Sequence, residues 1–150
     1  MRVDEALLGV EKLYFDTAPL IYYVEVNPRY ISLMDTIISR VESTQIHVHS
    51  SVITLTEVLV QPFQQGNAEL RQKYRDILMK NVVFELISMT PLIAEMAAEL
   101  RAQYNLRTPD AIHMATAVTT NCDAFLTNDM GLKRVAEVNV LILDEIELDN

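Results

Sequence analysis

The sequence predicts an α/β fold: a three-layer α/β/α sandwich in which helices cover both faces of a five-stranded parallel sheet. Short apolar runs of strand length alternate with longer segments whose apolar residues recur at helical spacing. Threonine and proline occur together at three predicted helix starts, where capping residues and first-turn prolines are favoured. Strands that are joined through helices run parallel, because each connection crosses over the sheet.

The elements follow from these signals in order along the chain. The predicted strands are apolar runs that end in turn residues: Leu13–Phe15, Ile46–Val48, Val82–Ile87, Ala124–Leu126 and Val138–Leu143. Thr17 is the predicted cap of the first helix, and Ser50 or Ser51 caps a helix that ends near Pro62. Further helices are expected over Ile31–Val41, Glu69–Lys80, Thr90–Tyr104 and Thr108–Thr119, with Thr90 and Thr108 as caps and a short helix after Asp129.

Composition bounds the class of protein. The chain of 150 residues is half apolar, so we expect one domain, residues 1–150, with a substantial core. We expect neither a signal peptide nor a membrane span, because the first residues are acidic and no apolar stretch approaches roughly 20 residues. The single cysteine, Cys122, makes the cytoplasm the expected location. The net charge of −9 argues against nucleic-acid binding by bulk attraction.

Four acidic residues are predicted to gather at one edge of the sheet: Asp16, Glu57, Asp110 and Asp129. Each follows a strand or lies early in a helix, and parallel sheets form sites beyond the carboxyl ends of their strands. Clustered carboxylates repel one another unless a cation compensates, and hard oxygen ligands favour Mg²⁺ or Mn²⁺ over Zn²⁺. Two such ions would support phosphodiester hydrolysis without a side-chain nucleophile.

The segments that carry these acids resemble the four acidic motifs of PIN domains. They are LYFDTAPLIYYVE (13–25), TLTEVLV (54–60), LRTPDAIHMATAV (106–118) and AFLTNDMGLKRV (124–135). Order and spacing match over about residues 12–144, and the third motif is the most specific. The resemblance is closest to small single-domain members, including the VapC-like toxins of toxin–antitoxin pairs.

This resemblance implies a metal-dependent ribonuclease that leaves a 3′-hydroxyl and a 5′-phosphate, with Mg²⁺ or Mn²⁺ as cofactor. Carried over by motif, Asp16 and Asp110 are central ligands, while Glu57 and Asp129 bind a second ion or act through water. The resemblance also suggests a homodimer. If a cognate antitoxin exists, the charge of the cluster predicts that it inserts a basic side chain among the acids.

Several neighbouring polar residues are candidates for supporting roles. Thr17, Thr127 and Asn128 lie beside the acids, where hydrogen bonds orient ligands. Arg107 is a candidate phosphate contact.

Three histidines have weaker claims to a role in the site. His113 lies three residues after Asp110 on the same helix face, and we expect it to pack rather than to contact the site. His47 and His49 share one strand face and are expected to be packed or hydrogen-bonded rather than to bind a metal.

Each acid also has a purely structural interpretation. Asp110 lies in the first turn of a helix, where the dipole stabilises a carboxylate by roughly 0.3–1 kcal/mol. The leading hypothesis is nevertheless an RNA-cleaving toxin of a toxin–antitoxin pair. Four acids that only capped helices would have no reason to occur in the order of the four PIN motifs. The alternative is a catalytically silent PIN-like module that acts through protein or RNA partners. A phosphotransfer enzyme is disfavoured, since Ala18 stands where a haloacid-dehalogenase-type site needs a second aspartate.

Overall fold

The computed structural model describes residues 1–148 and has a five-stranded parallel sheet at its centre, with the strand order β3-β2-β1-β4-β5. The strands are β1 Lys12–Phe15, β2 His47–Ser51, β3 Phe84–Ile87, β4 Ala124–Thr127 and β5 Asn139–Ile142. The predicted sheet is therefore confirmed. Some strand boundaries differ from the prediction. β2 continues to Ser51 rather than ending at Val48, and β3 begins at Phe84 rather than Val82, because Val82 lies in an exposed turn that precedes the strand.

Helices connect the strands and account for most of the remaining described residues. They are α1 Val3–Ala6, α2 Thr17–Val24, α3 Ile31–Ser43, α4 Val52–Gln64, α5 Ala68–Met79, α6 Pro91–Tyr104 and α7 Thr108–Thr119. Short 3₁₀ turns follow β4 and β5. Within residues 1–148, no helix combines the length and the apolar character needed to cross a bilayer.

The helix ends differ from the sequence prediction at several points. Helix α1 was not predicted, since four residues are too few to show a period. Helix α4 passes through Pro62 to Gln64, because the ring is buried and the helix loses only the hydrogen bond that a proline cannot donate. Thr108 is not the cap of α7: Arg107 holds the extended cap conformation, without a side-chain capping bond, and Thr108 is the first helical residue.

Two apolar clusters hold the layers together, one on each face of the sheet. Helices α2 to α5 contribute to the larger cluster, whose centre includes Phe15, Leu20 and Met34. Helices α6 and α7 cover the other face, where Tyr14 stacks on Phe125 with ring centroids 4.9 Å apart. Successive strand residues point to opposite faces, so Tyr14 enters one cluster and Phe15 the other.

The order of the strands places a crevice beside β1. The chain moves outward from β1 through β2 to β3 and then returns to pair β4 with the other edge of β1. Strand order reverses at this point, and a crevice opens beyond the carboxyl ends of the two strands. Phe15 pairs with Leu126, so the residues that follow both strands emerge side by side.

Candidate active site

The crevice is an open cleft of about 510 Å³, and all four predicted acids line it. β1 leads into Asp16, α4 carries Glu57, the first turn of α7 carries Asp110, and the turn after β4 carries Asp129. The structure thus brings together the acids of four separate chain segments. Thr17, Arg107, Thr127 and Asn128, which the sequence also singled out, line the same cleft.

Asp16 is the most enclosed of the four acids, with only 9% of the residue exposed. Its Oδ1 accepts a 2.9 Å hydrogen bond from the Thr17 amide, which makes Asp16 rather than Thr17 the cap of α2. Its Oδ2 accepts a 2.7 Å bond from the Thr127 hydroxyl. Burial raises the pKa of Asp16, and nearby Asp110 raises it further, against the opposing effects of His113 and these two hydrogen bonds. A buried carboxylate of this kind gains stability from a cation.

Glu57 is held from two sides at the mouth of the cleft. Its Oε1 lies 2.6 Å from Nε2 of His113 and accepts a 3.1 Å bond from the Thr17 hydroxyl. Burial acts to raise the pKa of Glu57, but the hydrogen bond and the electrostatic attraction of His113 outweigh it and lower the pKa below the usual carboxyl range. Glu57 is therefore a carboxylate at neutral pH, fixed in direction by protein donors.

His113 is buried at the base of this arrangement, and the expectation that it packs without contacting the site was wrong. Its Nδ1 lies 2.6 Å from the hydroxyl of Tyr14, and its Nε2 lies 3.8 Å from Asp16. The same Tyr14 oxygen accepts the Ser51 amide, and burial holds the pKa of Tyr14 well above its ordinary value. The Tyr14 proton is thus free to be donated to Nδ1. Because a carboxylate only accepts, Nε2 of His113 is the donor to Glu57.

Asp110 forms an ion pair with the arginine that precedes its helix. Arg107 Nε lies 2.9 Å from Asp110 Oδ2, and its terminal nitrogen lies 3.4 Å from Oδ1. The arginine side chain is 78% exposed, whereas that of Asp110 is 14% exposed. Arg107 therefore reaches over the acid from the solvent side and is free to turn toward another anion.

The turn after β4 is fastened by its own polar side chains. Thr127 donates to Asp16 and accepts the Asp129 amide at 3.1 Å, so one hydroxyl connects the two acids. Asp129 Oδ1 accepts the Gly131 amide. Asn128 donates to the Tyr30 hydroxyl and accepts the Asp144 amide rather than bonding any of the four acids. Asn128 consequently fixes the turn to the body of the protein.

The donor set of the cleft fits a hard divalent cation. Within residues 1–148, no three His, Cys, Asp or Glu side chains stand close enough, as they are now oriented, to enclose one ion. Mg²⁺ seldom needs such a cage, because it keeps several waters and takes only one or two protein carboxylates. Four oxygen donors around an open, water-accessible cleft satisfy that requirement. Asp110 acts to raise the pKa of Asp16, so a cation held between these two carboxylates would relieve their repulsion.

Sequence reasoning underestimated two residues of this site. His113 lies three residues after Asp110, a spacing that places both side chains on the same side of α7 and so indicates that His113 lies near the site. Side chains alternate along β1, so Tyr14 lies on the same sheet face as Asp16 and is also expected near the site. His49 is buried and hydrogen-bonded to Thr120 at 2.9 Å, which agrees with its predicted structural role, whereas His47 is exposed rather than packed.

The fold and the cleft define an α/β protein with a carboxylate site at the switch point of its parallel sheet. A sequence profile of the PIN domain matches residues 13–138, and the chain therefore belongs to the PIN domain family. Members of this family are nucleases that generally use divalent metal ions. A search of curated proteins finds no significant match.

Solved structures with the same fold come from VapBC and related toxin–antitoxin complexes. VapBC2 from Rickettsia felis, bound to a DNA fragment from its promoter, is 18% identical, with a TM-score of 0.69 over 87% of this chain and 98% of that one. A toxin–antitoxin complex from Klebsiella pneumoniae is 26% identical, with a TM-score of 0.65 over 87% of this chain and 97% of the other. VapBC-5 from Mycobacterium tuberculosis is 19% identical, with a TM-score of 0.56 over 88% and 98%.

Proposed function

We propose that the protein is a metal-dependent endoribonuclease and the toxin of a toxin–antitoxin pair. The observation that carries the proposal is the meeting of Asp16, Glu57, Asp110 and Asp129 in one open cleft beside the cation Arg107. Helix capping explains Asp16 and Asp129 individually, but it does not explain why all four acids share one cleft. Membership of the PIN family and the likeness to toxin–antitoxin complexes support the same function.

The proposal gives each side chain a role in the hydrolysis of a phosphodiester. Asp16 and Asp110 bind Mg²⁺ or Mn²⁺, and Glu57 and Asp129 complete the acidic rim. Such a cation supplies Lewis-acid stabilisation of the charge that develops on the phosphodiester oxygens. Arg107 binds a phosphate oxygen when it turns away from Asp110. Thr17, Thr127 and His113 orient the carboxylates through the hydrogen bonds described above.

The proposed partners follow from the charge of the cleft. An antitoxin that neutralises the protein places a basic side chain among the acids, as Arg107 now does beside Asp110. A homodimer and a cytoplasmic location belong to the same proposal. The structures of toxin–antitoxin complexes with this fold support the antitoxin.

The test is cleavage of RNA by the purified protein with Mn²⁺. Wild-type protein is expected to cut, and Asp16→Asn and Asp110→Asn are expected to abolish cutting. Asp123→Asn is the matched control, because Asp123 bonds the amides of Glu11 and Lys12 outside the cleft. Product ends should carry a 5′-phosphate and a 3′-hydroxyl. Equal cleavage by the wild type and all three variants would identify a contaminating nuclease and overturn the proposal.

One observation favours the catalytically silent module as the second candidate. The Arg107–Asp110 ion pair already satisfies one of the acids without a metal ion. Tight Mn²⁺ binding by the wild type with no turnover of RNA or single-stranded DNA would establish that candidate instead.

A further inference from the structure

One wall of the acidic cleft is apolar, and the proposed chemistry uses none of its residues. Ala18, Ile21 and Tyr22 of α2 line the cleft together with Met130, which follows Asp129. The spacing of the three α2 residues places them on one face of the helix. Met130 is 56% exposed although it lies beside the acids. A site that only bound a metal ion and a phosphate would gain nothing from this surface.

The ring of Tyr22 is the rigid part of this wall. It stacks on Tyr30 with ring centroids 4.3 Å apart and planes 12° from parallel. Tyr30 is buried, donates to Asp144 at 2.8 Å and accepts from Asn128 at 2.9 Å. Because Asn128 precedes Asp129, the network that holds this pair of rings also holds the acidic turn. The aromatic wall and the acids are therefore fixed relative to one another.

The hydroxyl of Tyr22 is available to a ligand. Among residues 1–148 it forms no hydrogen bond with a protein group, a property that it shares with Tyr23, whereas the hydroxyls of Tyr14, Tyr30, Tyr74 and Tyr104 are all bonded. The side chain is half-buried and its open part faces the cleft. A flat, partly polar surface of this kind suits a ligand that combines a π-face with hydrogen-bonding groups.

We propose, resting on the nuclease function above, that Tyr22 is a stacking subsite for an unpaired nucleobase next to the cleaved phosphate. Base stacking on aromatic side chains contributes affinity without regard to sequence. Such affinity matters in a chain of net charge −9, which cannot hold RNA by general electrostatic attraction. A base paired inside an A-form helix is already stacked and cannot reach the wall, so the substrate is single-stranded at the cut.

The experiment measures stacking directly and without turnover. Short single-stranded RNAs carry the fluorescent base 2-aminopurine at successive positions and are titrated with the protein in Ca²⁺, which replaces the catalytic cation. Wild-type protein is expected to quench the probe at one position. Tyr22→Phe should keep the quenching, whereas Tyr22→Leu should lose it and bind roughly fivefold or more weakly. Tyr23→Leu is the matched control, since Tyr23 is adjacent but lines a different depression, formed with Lys73 and Ile77.

Two further measurements keep the inference testable. If Tyr22→Leu fails to fold, an RNA with an abasic nucleotide at the quenched position should bind wild-type protein more weakly by a similar factor. The same sequence in a full duplex should show no further quenching when the protein is added and should not be cut. Unchanged quenching in Tyr22→Leu, or equal cleavage of duplex and single strand, would overturn the stacking subsite. Quenching at one position without cleavage in Mn²⁺ would overturn the nuclease function and leave the subsite in place.

Discussion

The buried His113 and the partly exposed Glu57 form a hydrogen-bonded pair in which Nε2 lies 2.6 Å from Oε1. The histidine is 1% exposed, and the carboxylate reaches the cleft with about a third of its side chain accessible. The hydroxyl of Tyr14 forms a hydrogen bond with the other ring nitrogen of the imidazole, Nδ1. An acid at the rim is thereby oriented from the interior of the protein through one ring, and several measurable consequences follow from this connection and from the cleft around it.

Replacing His113 should separate its donor function from its packing. We expect His113→Leu to lower RNA cleavage about 10- to 100-fold, because Glu57 loses the group that directs it. His113→Gln should retain part of the activity, since its amide nitrogen reaches the position of Nε2 and donates to the same oxygen. Steady-state cleavage rates and Mn²⁺ titrations check this order. Equal activity in the Leu and Gln variants would show that only packing matters.

Tyr14→Phe tests the deeper half of the same chain of hydrogen bonds. Loss of the hydroxyl leaves the buried Ser51 amide without its acceptor, which costs about 1–3 kcal/mol of unfolding free energy. His113 also loses the group that sets its tautomer, so cleavage should fall, though less than in His113→Leu. Urea unfolding and cleavage rates measure the two effects. Phe125, which stacks on Tyr14, is unaffected by the change and keeps the core filled.

Asp16→Asn should trade activity for stability. Burial raises the pKa of Asp16 in the folded protein, so the folded state binds its proton more tightly than the unfolded state. The variant is therefore expected to unfold at a higher temperature than wild type near pH 7 in EDTA. This gain should shrink as the pH falls and wild-type Asp16 becomes protonated. Cleavage should fall by more than the roughly 100-fold that outer partners cost. A variant less stable than wild type at neutral pH would contradict this account.

Arg107→Gln should move metal affinity and RNA affinity in opposite directions. The guanidinium now neutralises Asp110, so its removal should tighten Mn²⁺ binding. Loss of the proposed phosphate contact should raise the KM for RNA with a smaller effect on kcat. Calorimetric Mn²⁺ titration and initial rates give the two quantities, and Arg101→Gln, outside the acidic cleft, is the control. A simultaneous loss of metal and RNA affinity would contradict a competing role for Arg107.

The hydrogen bonds of Asp123, which lie away from the cleft, should stabilise the protein at neutral pH and lose this effect in acid. Its Oδ2 accepts the Glu11 and Lys12 amides at 2.9 Å each, and these bonds lower its pKa. A carboxyl whose pKa is depressed by folding stabilises the protein above the ordinary carboxyl pKa and loses that contribution as the pH falls through the depressed value. Asp123→Asn should thus lower the Tm at neutral pH and make little difference near pH 2, by calorimetry. A constant difference at all pH values would exclude this explanation.

The sequence predicted the sheet and the four acids because both depend on local signals and on the general geometry of parallel sheets. The capping of α2 was harder, since Asp16 and Thr17 are both good caps. Pairing of Phe15 with Leu126 settles the choice by carrying β1 up to Asp16. The contact between Tyr14 and His113 joins positions 99 apart and depends on how α7 lies across β1. Spacing along one element cannot supply that information.

The reversal of strand order at β1 also divides the chain into two portions, each of which contributes two of the four acids to the cleft. Residues up to the end of β3 carry Asp16 and Glu57, and the residues from α6 onward carry Asp110 and Asp129. The two portions meet along the seam between β1 and β4, where the backbones of adjacent strands pair. Fragments separated in the short connection between β3 and α6 would each hold half of the acids. RNA would then be cleaved only when the two fragments reassemble. The topology therefore offers a split-protein reporter in which RNA cleavage measures the association of the two fragments.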